Sequence, residues 1–191
     1  MIVCAGRSES FDFARAVGVG LVESTINLTQ ICEREKPKNI VFIGTCGLYD
    51  LTAEDKIGQI LLSCEAVNLE ISALFRQSYG VFDGRVSAVN SANFDEFAQI
   101  VSRETDVINS SNFITTDAQA SKEFLSQGLA AENMEFFSIL SVANTYDLPC
   151  FGVFVATNFC NAAAHEDFVK NHESAKMTLT KFAKEYLGKF A

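Results

Sequence analysis

The chain has 191 residues, of which 48% are hydrophobic and 20% charged, enough apolar content for a buried core and too much for a disordered chain. Its formal net charge is −9, and its lysines cluster only in the last predicted helix, so nucleic acid is excluded as a partner in favour of a small-molecule ligand. No apolar run is long enough to span a bilayer and no charged-then-apolar leader opens the chain, so a membrane role is not expected.

In chain order, Met1 to Ala5 reads as a strand ending at Gly6. Ala14 to Val17 is a second short run before Gly18-Val19-Gly20. Leu21, Val22, Thr25, Ile26, Leu28, Thr29 and Cys32 then keep helical spacing until Lys36-Pro37-Lys38-Asn39 breaks it. Ile40 to Ile43 is a strand, with Gly44-Thr45-Cys46-Gly47 as the turn after it. Ile57 to Cys64 and Val67 to Leu74 are expected as partner strands, 84–90 as an extended segment and Phe94 to Arg103 as a short helix. Val107-Ile108 leads into the polar loop Asn109 to Asp117, followed by a helix over Ala118 to Gln127. A further helix starts at Glu135 and runs to about Tyr146. Cys150 to Ala156 is a long apolar strand, and the chain ends in an amphipathic helix with Phe168, Ala175, Leu179, Phe182, Tyr186 and Leu187 on one stripe.

Strands alternating with helices predict one α/β domain over 1–191, with a central mixed, largely parallel twisted sheet and helices on both faces. In such folds a ligand sits at the carboxyl ends of the strands, where Gly44–Gly47, Ser110–Asp117 and Thr157–Asn161 fall. The six cysteines form no C-x-x-C pair and lie mostly in apolar runs, as small hydrophobes in a reducing cytoplasm would. With only two histidines besides, no metal site is expected.

Several stretches carry possible chemistry. Gly18-Val19-Gly20 can turn backbone amides toward a ligand at a helix start, or be only a tight strand-to-helix turn; it lacks the third glycine of a dinucleotide fingerprint, where Glu23 stands. Thr45, between glycines, can orient a water or phosphate oxygen, or sit in an ordinary turn. Phe113, in a polar loop, can stack on a flat base or anchor the loop to the core. Glu135, among Met134, Phe136 and Phe137, can accept hydrogen bonds from both hydroxyls of a cis-diol, or pair with free amides at a helix start. Asn158, at a strand end, can read a purine ring or serve a turn.

Taken together, Ala16-Val17-Gly18-Val19-Gly20 and Lys36-Pro37-Lys38-Asn39-Ile40-Val41-Phe42-Ile43-Gly44-Thr45-Cys46-Gly47-Leu48 resemble the first half of the nucleoside phosphorylase and nucleosidase superfamily. Ser110-Ser111-Asn112-Phe113-Ile114 resembles its base-stacking loop, Asn133-Met134-Glu135 its V-E-M-E ribose motif, and Leu148-Pro149 through Asn158 its base-reading strand. The resemblance implies a purine nucleoside phosphorylase-like enzyme that cleaves an N-ribosidic bond. It would use phosphate as co-substrate and no cofactor, and would form a homodimer or larger ring. The alternatives are a hydrolytic nucleosidase of the methylthioadenosine/S-adenosylhomocysteine type and a non-catalytic nucleoside binder. Carried over by position, Glu135 and Met134 would hold the ribose and Phe113 would stack on the base. Ile114 would offer it backbone groups, Asn158 would hydrogen-bond it, Thr45 would lie near the nucleophile, and Gly18 and Gly20 would shape the wall beside the sugar.

The chain departs from the family at four places. Asn133 stands where a glutamate is usual, and Asn158 where nucleosidases and hexameric phosphorylases have an aspartate. The asparagine cannot act as an acid, although Thr157-Asn158 is similar to the trimeric phosphorylases that read 6-oxopurines. Phe42 replaces a phosphate-binding arginine, leaving Arg7 as the candidate anion contact. The segment from Gly6 to Gly18 is short, with Glu9 in it as a candidate water-activating group.

Overall fold

A computed structural model of the chain describes residues 1–89, 94, 97–99 and 105–188. Eight strands are present among them: β1 (Ile2–Cys4), β2 (Arg15–Ala16), β3 (Ile40–Leu48), β4 (Ile60–Val67), β5 (Arg85–Ser87), β6 (Thr105–Ser110), β7 (Ala131–Asn133) and β8 (Cys150–Phe159). The helices are α1 (Gly20–Glu35), α2 (Ile71–Leu74), α3 (Ala118–Ser126), α4 (Phe136–Thr145) and α5 (Ala164–Tyr186).

The two longest strands, β3 and β8, run parallel from Ile40 opposite Cys150 to Leu48 opposite Phe159. Both are apolar almost throughout, because both of their faces are covered. On one face α1 and α4 pack Leu28, Cys32, Phe136, Ile139 and Ala143 against Phe42 and Phe154. On the other, α5 packs Ala175, Leu179, Ala183 and the following Leu187 against Ile43, Leu62 and Val153. The expected helices on both faces are therefore present. At Gly152 a Cβ would come within 2.5 Å of the Phe154 ring and 2.8 Å of Phe136, so only glycine admits this aromatic packing.

The sheet is mixed, and the expectation that it is largely parallel needs correction. Of the eight pairings among the described strands, three are antiparallel: β3 with β7, β4 with β5, and β4 with β8. A parallel neighbour needs a crossover of a dozen or more residues, usually helical. The link from β3 to β4 holds only the 3₁₀ turn Glu54–Lys56, and β4 returns antiparallel to β8. With β4 on β6, β6 on β7 and β7 on β3, the pairings make a closed circuit β3-β8-β4-β6-β7.

Four local expectations are also revised. Gly44-Thr45-Cys46-Gly47 is not a turn; it lies inside β3, which stays paired and buried to Leu48. Val67 to Leu74 does not pair as a strand beyond Val67. The Asn109 amide instead holds both the N–H and the C=O of Leu69, and a single helical turn follows at Ile71. β7 was not expected, because three residues are too few to show a period. β8 runs three residues past Ala156. Of the helix expected over Phe94 to Arg103, Phe94 and 97–99 are helical and the rest lies outside the described residues, as does the end of the 84–90 segment.

Cys4, Cys32, Cys46, Cys150 and Cys160 are buried free thiols. Among the described residues no helix is long and apolar enough to cross a membrane.

Candidate active site

The carboxyl ends of β3 and β8, the β7–α4 junction and the loop after β6 converge on one cavity of about 300 Å³. Its lining includes seven of the residues expected from sequence: Thr45, Phe113, Ile114, Asn133, Met134, Glu135 and Asn158. Glu9 lines it too, with Ser8, Gly47, Glu132, His165 and Phe168.

Glu135 is the most constrained of these groups. It ends the β7–α4 junction, buried at 3% exposure. One carboxylate oxygen, Oε1, accepts a 2.9 Å hydrogen bond from the Gly20 backbone N–H. The helix start at Gly18-Val19-Gly20 thus does bind an anion, but one carried by the chain itself. Gly20 has φ +81, and a Cβ there would meet the Asn112 Oδ1 at 2.9 Å, so no larger residue fits the junction. Burial pushes the Glu135 carboxyl up to about 7; the Gly20 N–H opposes that shift and the nearby Glu9 carboxylate adds to it.

Asn133 explains the first departure from the family pattern. Its Oδ1 accepts from the backbone N–H groups of Glu135 and Phe136 at 2.8 and 2.9 Å, and its Nδ2 donates to the Thr45 carbonyl at 3.3 Å. Only an amide offers both functions; a carboxylate would set an oxygen against the Thr45 carbonyl. Asn133 thereby ties the start of α4 to β3.

Glu9 reaches the same wall. It is bound by the Thr45 hydroxyl and, at 3.3 Å, by the Thr45 backbone N–H. The short segment after β1 folds back through a bridge between Gly6 and Glu9, which brings this carboxylate to the cavity despite the altered spacing.

At the opposite end, Asn158 Oδ1 accepts from the Thr157 hydroxyl at 2.9 Å and its Nδ2 donates to the Phe159 carbonyl at 3.2 Å. This fixes the amide so that its second N–H remains as a donor. Gly47 sits between Glu132 on β7 and Asn158 on β8 in register. A Cβ on Gly47 would come within 2.8 Å of both Asn158 Nδ2 and Cys160 Sγ, so the glycine keeps this end of the cavity open.

Phe113 and Ile114 stand at the mouth, 76% and 53% exposed. Phe113 is therefore not a core anchor, and its ring is free to stack on a ligand.

Three expected residues do not line the cavity. Gly18 packs under the Glu23 side chain, and Gly20 acts only through Glu135. Arg7 points its guanidinium at Glu23, 3.1 Å away on the surface, rather than into the site. Phe42 is fully buried among Phe136 and Phe154 and offers nothing to an anion. Sequence reasoning passed over Glu132, His165 and Phe168. The first adjoins the ribose motif, and the other two follow the strand end at Asn158 within one helical turn of each other; that proximity was the available signal.

Comparisons with known proteins bear on the fold and the family. A futalosine hydrolase mutant of Helicobacter pylori superposes with a TM-score of 0.80 at 20% identity, covering 98% of this chain and 97% of its own. The 5′-methylthioadenosine/S-adenosylhomocysteine nucleosidase of the same organism, with butyl-thio-DADMe-Immucillin-A, gives 0.79 at 18% over 98% and 97%. That of Neisseria meningitidis, with methylthio-immucillin-A, gives 0.80 at 14% over 98% and 97%. At these identities the likeness establishes the fold. No curated protein matches the sequence. The family model of the phosphorylase superfamily matches residues 2–188, nearly the whole length, and the chain belongs to that superfamily.

Proposed function

We propose that this protein is a hydrolytic nucleosidase, cleaving the N-ribosidic bond of a purine nucleoside with water. The observation that carries this reading is the charge of the cavity. Glu9, Glu132 and Glu135 line it, and no lysine or arginine does among the described residues. A phosphate dianion would enter against carboxylates with no guanidinium to hold it, whereas a neutral water meets no such opposition. The similar solved structures that are named nucleosidase or hydrolase support the same choice over phosphorolysis.

In this reading the ribose hydroxyls donate to Glu135, whose well-formed bond from Gly20 engages only Oε1 and leaves acceptor capacity, and Met134 packs beside the sugar. The base stacks on Phe113 and takes a hydrogen bond from Asn158. Water attacks the anomeric carbon, its proton passes to Glu9, and the carbon–nitrogen bond breaks with its electron pair leaving on the base. Positive charge grows on the sugar as the bond lengthens, and ionised Glu135 stabilises it more in the transition state than in the ground state. Asn158 stabilises the departing base as a hydrogen-bond donor, not as an acid, which favours bases that leave readily as anions.

Incubating inosine, guanosine and methylthioadenosine with and without phosphate tests the proposal. Equal release of base and free sugar under both conditions is expected; release only with phosphate, as a sugar phosphate, would establish phosphorolysis instead. The substitutions at Asn133 and Asn158 favour one further reading, a binder without turnover, which would give affinity for these nucleosides and no product.

A further inference from the structure

The buried carboxylate of Glu132 takes no step in the reaction above, although it lines the cavity wall. Its Oε1 accepts from the Thr115 backbone N–H at 2.8 Å, and its Oε2 from the Thr115 hydroxyl at 2.6 Å and the Tyr49 hydroxyl at 2.9 Å. Tyr49 in turn accepts from Asn109 Nδ2 at 2.9 Å, and its ring stacks on Phe124 of α3. Thr115 follows Phe113 and Ile114 directly and is only 2% exposed, while those two side chains project into solvent.

The loop therefore has no hydrophobic anchor of its own at its tip, and polar bonds must place it. On its amino side, the Ser111 hydroxyl pairs with the N–H and C=O of Phe113, and Asn112 Oδ1 takes the Leu21 N–H. On its carboxyl side, Thr115 donates from both its N–H and its hydroxyl to Glu132. A charged acceptor forms stronger bonds than a neutral one, and a buried charge with three donors resists displacement.

We infer that Glu132 is a positioning residue: by holding Thr115 it sets the loop that presents Phe113 and Ile114 to the base. This rests on the nucleosidase reading for what the loop contacts. The test compares the full chain with Glu132→Ala, Glu132→Gln, Thr115→Val, Phe113→Ala and the Glu132→Ala/Phe113→Ala double variant, in KM, kcat per folded enzyme and Tm. Glu132→Ala should raise KM at least ~10-fold with kcat within about threefold, because the base site loosens while Glu9 and Glu135 stay in place. Glu132→Gln, which keeps an acceptor for the Thr115 N–H, should recover most of that loss. In the Phe113→Ala background, Glu132→Ala should add less than about threefold, the non-additivity expected of residues acting through one element.

A fall in Tm with KM unchanged would reduce Glu132 to a structural role, and fully multiplicative effects with Phe113→Ala would show that it does not act through the loop. If Glu132→Ala does not fold, Thr115→Val decides: a raised KM supports the inference and an unchanged one overturns it. If the wild type turns over no nucleoside, the nucleosidase reading fails by itself. The same contrasts are then read in the Kd of an uncleavable purine C-nucleoside, and absence of any binding would overturn the inference too.

Discussion

Glu132 and Glu135 stand three residues apart on one wall, both nearly buried, and they are provided for in opposite ways. Glu132 accepts three hydrogen bonds from Thr115 and Tyr49, so its charge is satisfied by the fold. Among the described residues Glu135 accepts one well-formed hydrogen bond, from Gly20, with weaker support from Asn133 and the Met134 backbone, and burial lifts its carboxyl to about 7. A buried carboxylate with complete partners holds structure together; one with incomplete partners is unfavourable until a ligand supplies the rest. In the proposed reading the difference separates a residue that shapes the site from one that awaits substrate, although sequence spacing makes them neighbours.

Breaking the catalytic side of this contrast should have the largest effect. Glu9→Gln removes the proposed proton acceptor and should lower kcat by ~100-fold or more, within the range general bases usually supply. Glu135→Ala should lower kcat/KM by at least ~100-fold, roughly 2.7 kcal/mol of transition-state binding, measured with the best substrate found. Gly47→Ala, whose Cβ would press on Asn158 Nδ2 and on the buried Cys160 Sγ, should raise KM by about tenfold and also lower Tm.

The pH dependence is smaller and sharpens the same contrast. In the proposed mechanism Glu135 acts ionised, so kcat/KM should rise with pH through about 7. Stability should move the other way. The folded protein holds this proton above the carboxyl's ordinary 4.5, so between about 4.5 and 7 it binds more protons than the unfolded chain, and stability falls as pH rises through that window. Melting curves across that range should show the decline, and Glu135→Gln should flatten it.

Much of this was legible in the sequence. The helical periods of α1 and α5 and the apolar runs of β3 and β8 each express a local rule, and the resemblance in motif order brought together Glu135, Met134, Phe113 and Asn158, which share one cavity. What escaped is non-local. β7 exists because β3 and β6 flank it, and Gly44–Gly47 stays in a strand because β8 pairs with it to the end. Arg7 was expected to meet an anion and does so, but the anion is Glu23, whose position the sequence does not reveal. Glu132 looked like a neighbour of the ribose motif; its role depends on Tyr49 and Thr115 arriving from two other segments.

The most direct test is nucleoside cleavage in ¹⁸O-labelled water with phosphate present, followed by mass analysis of the sugar. The account predicts free ribose carrying one heavy oxygen from solvent at the anomeric carbon. A sugar phosphate whose bridging oxygen comes from unlabelled phosphate would contradict it.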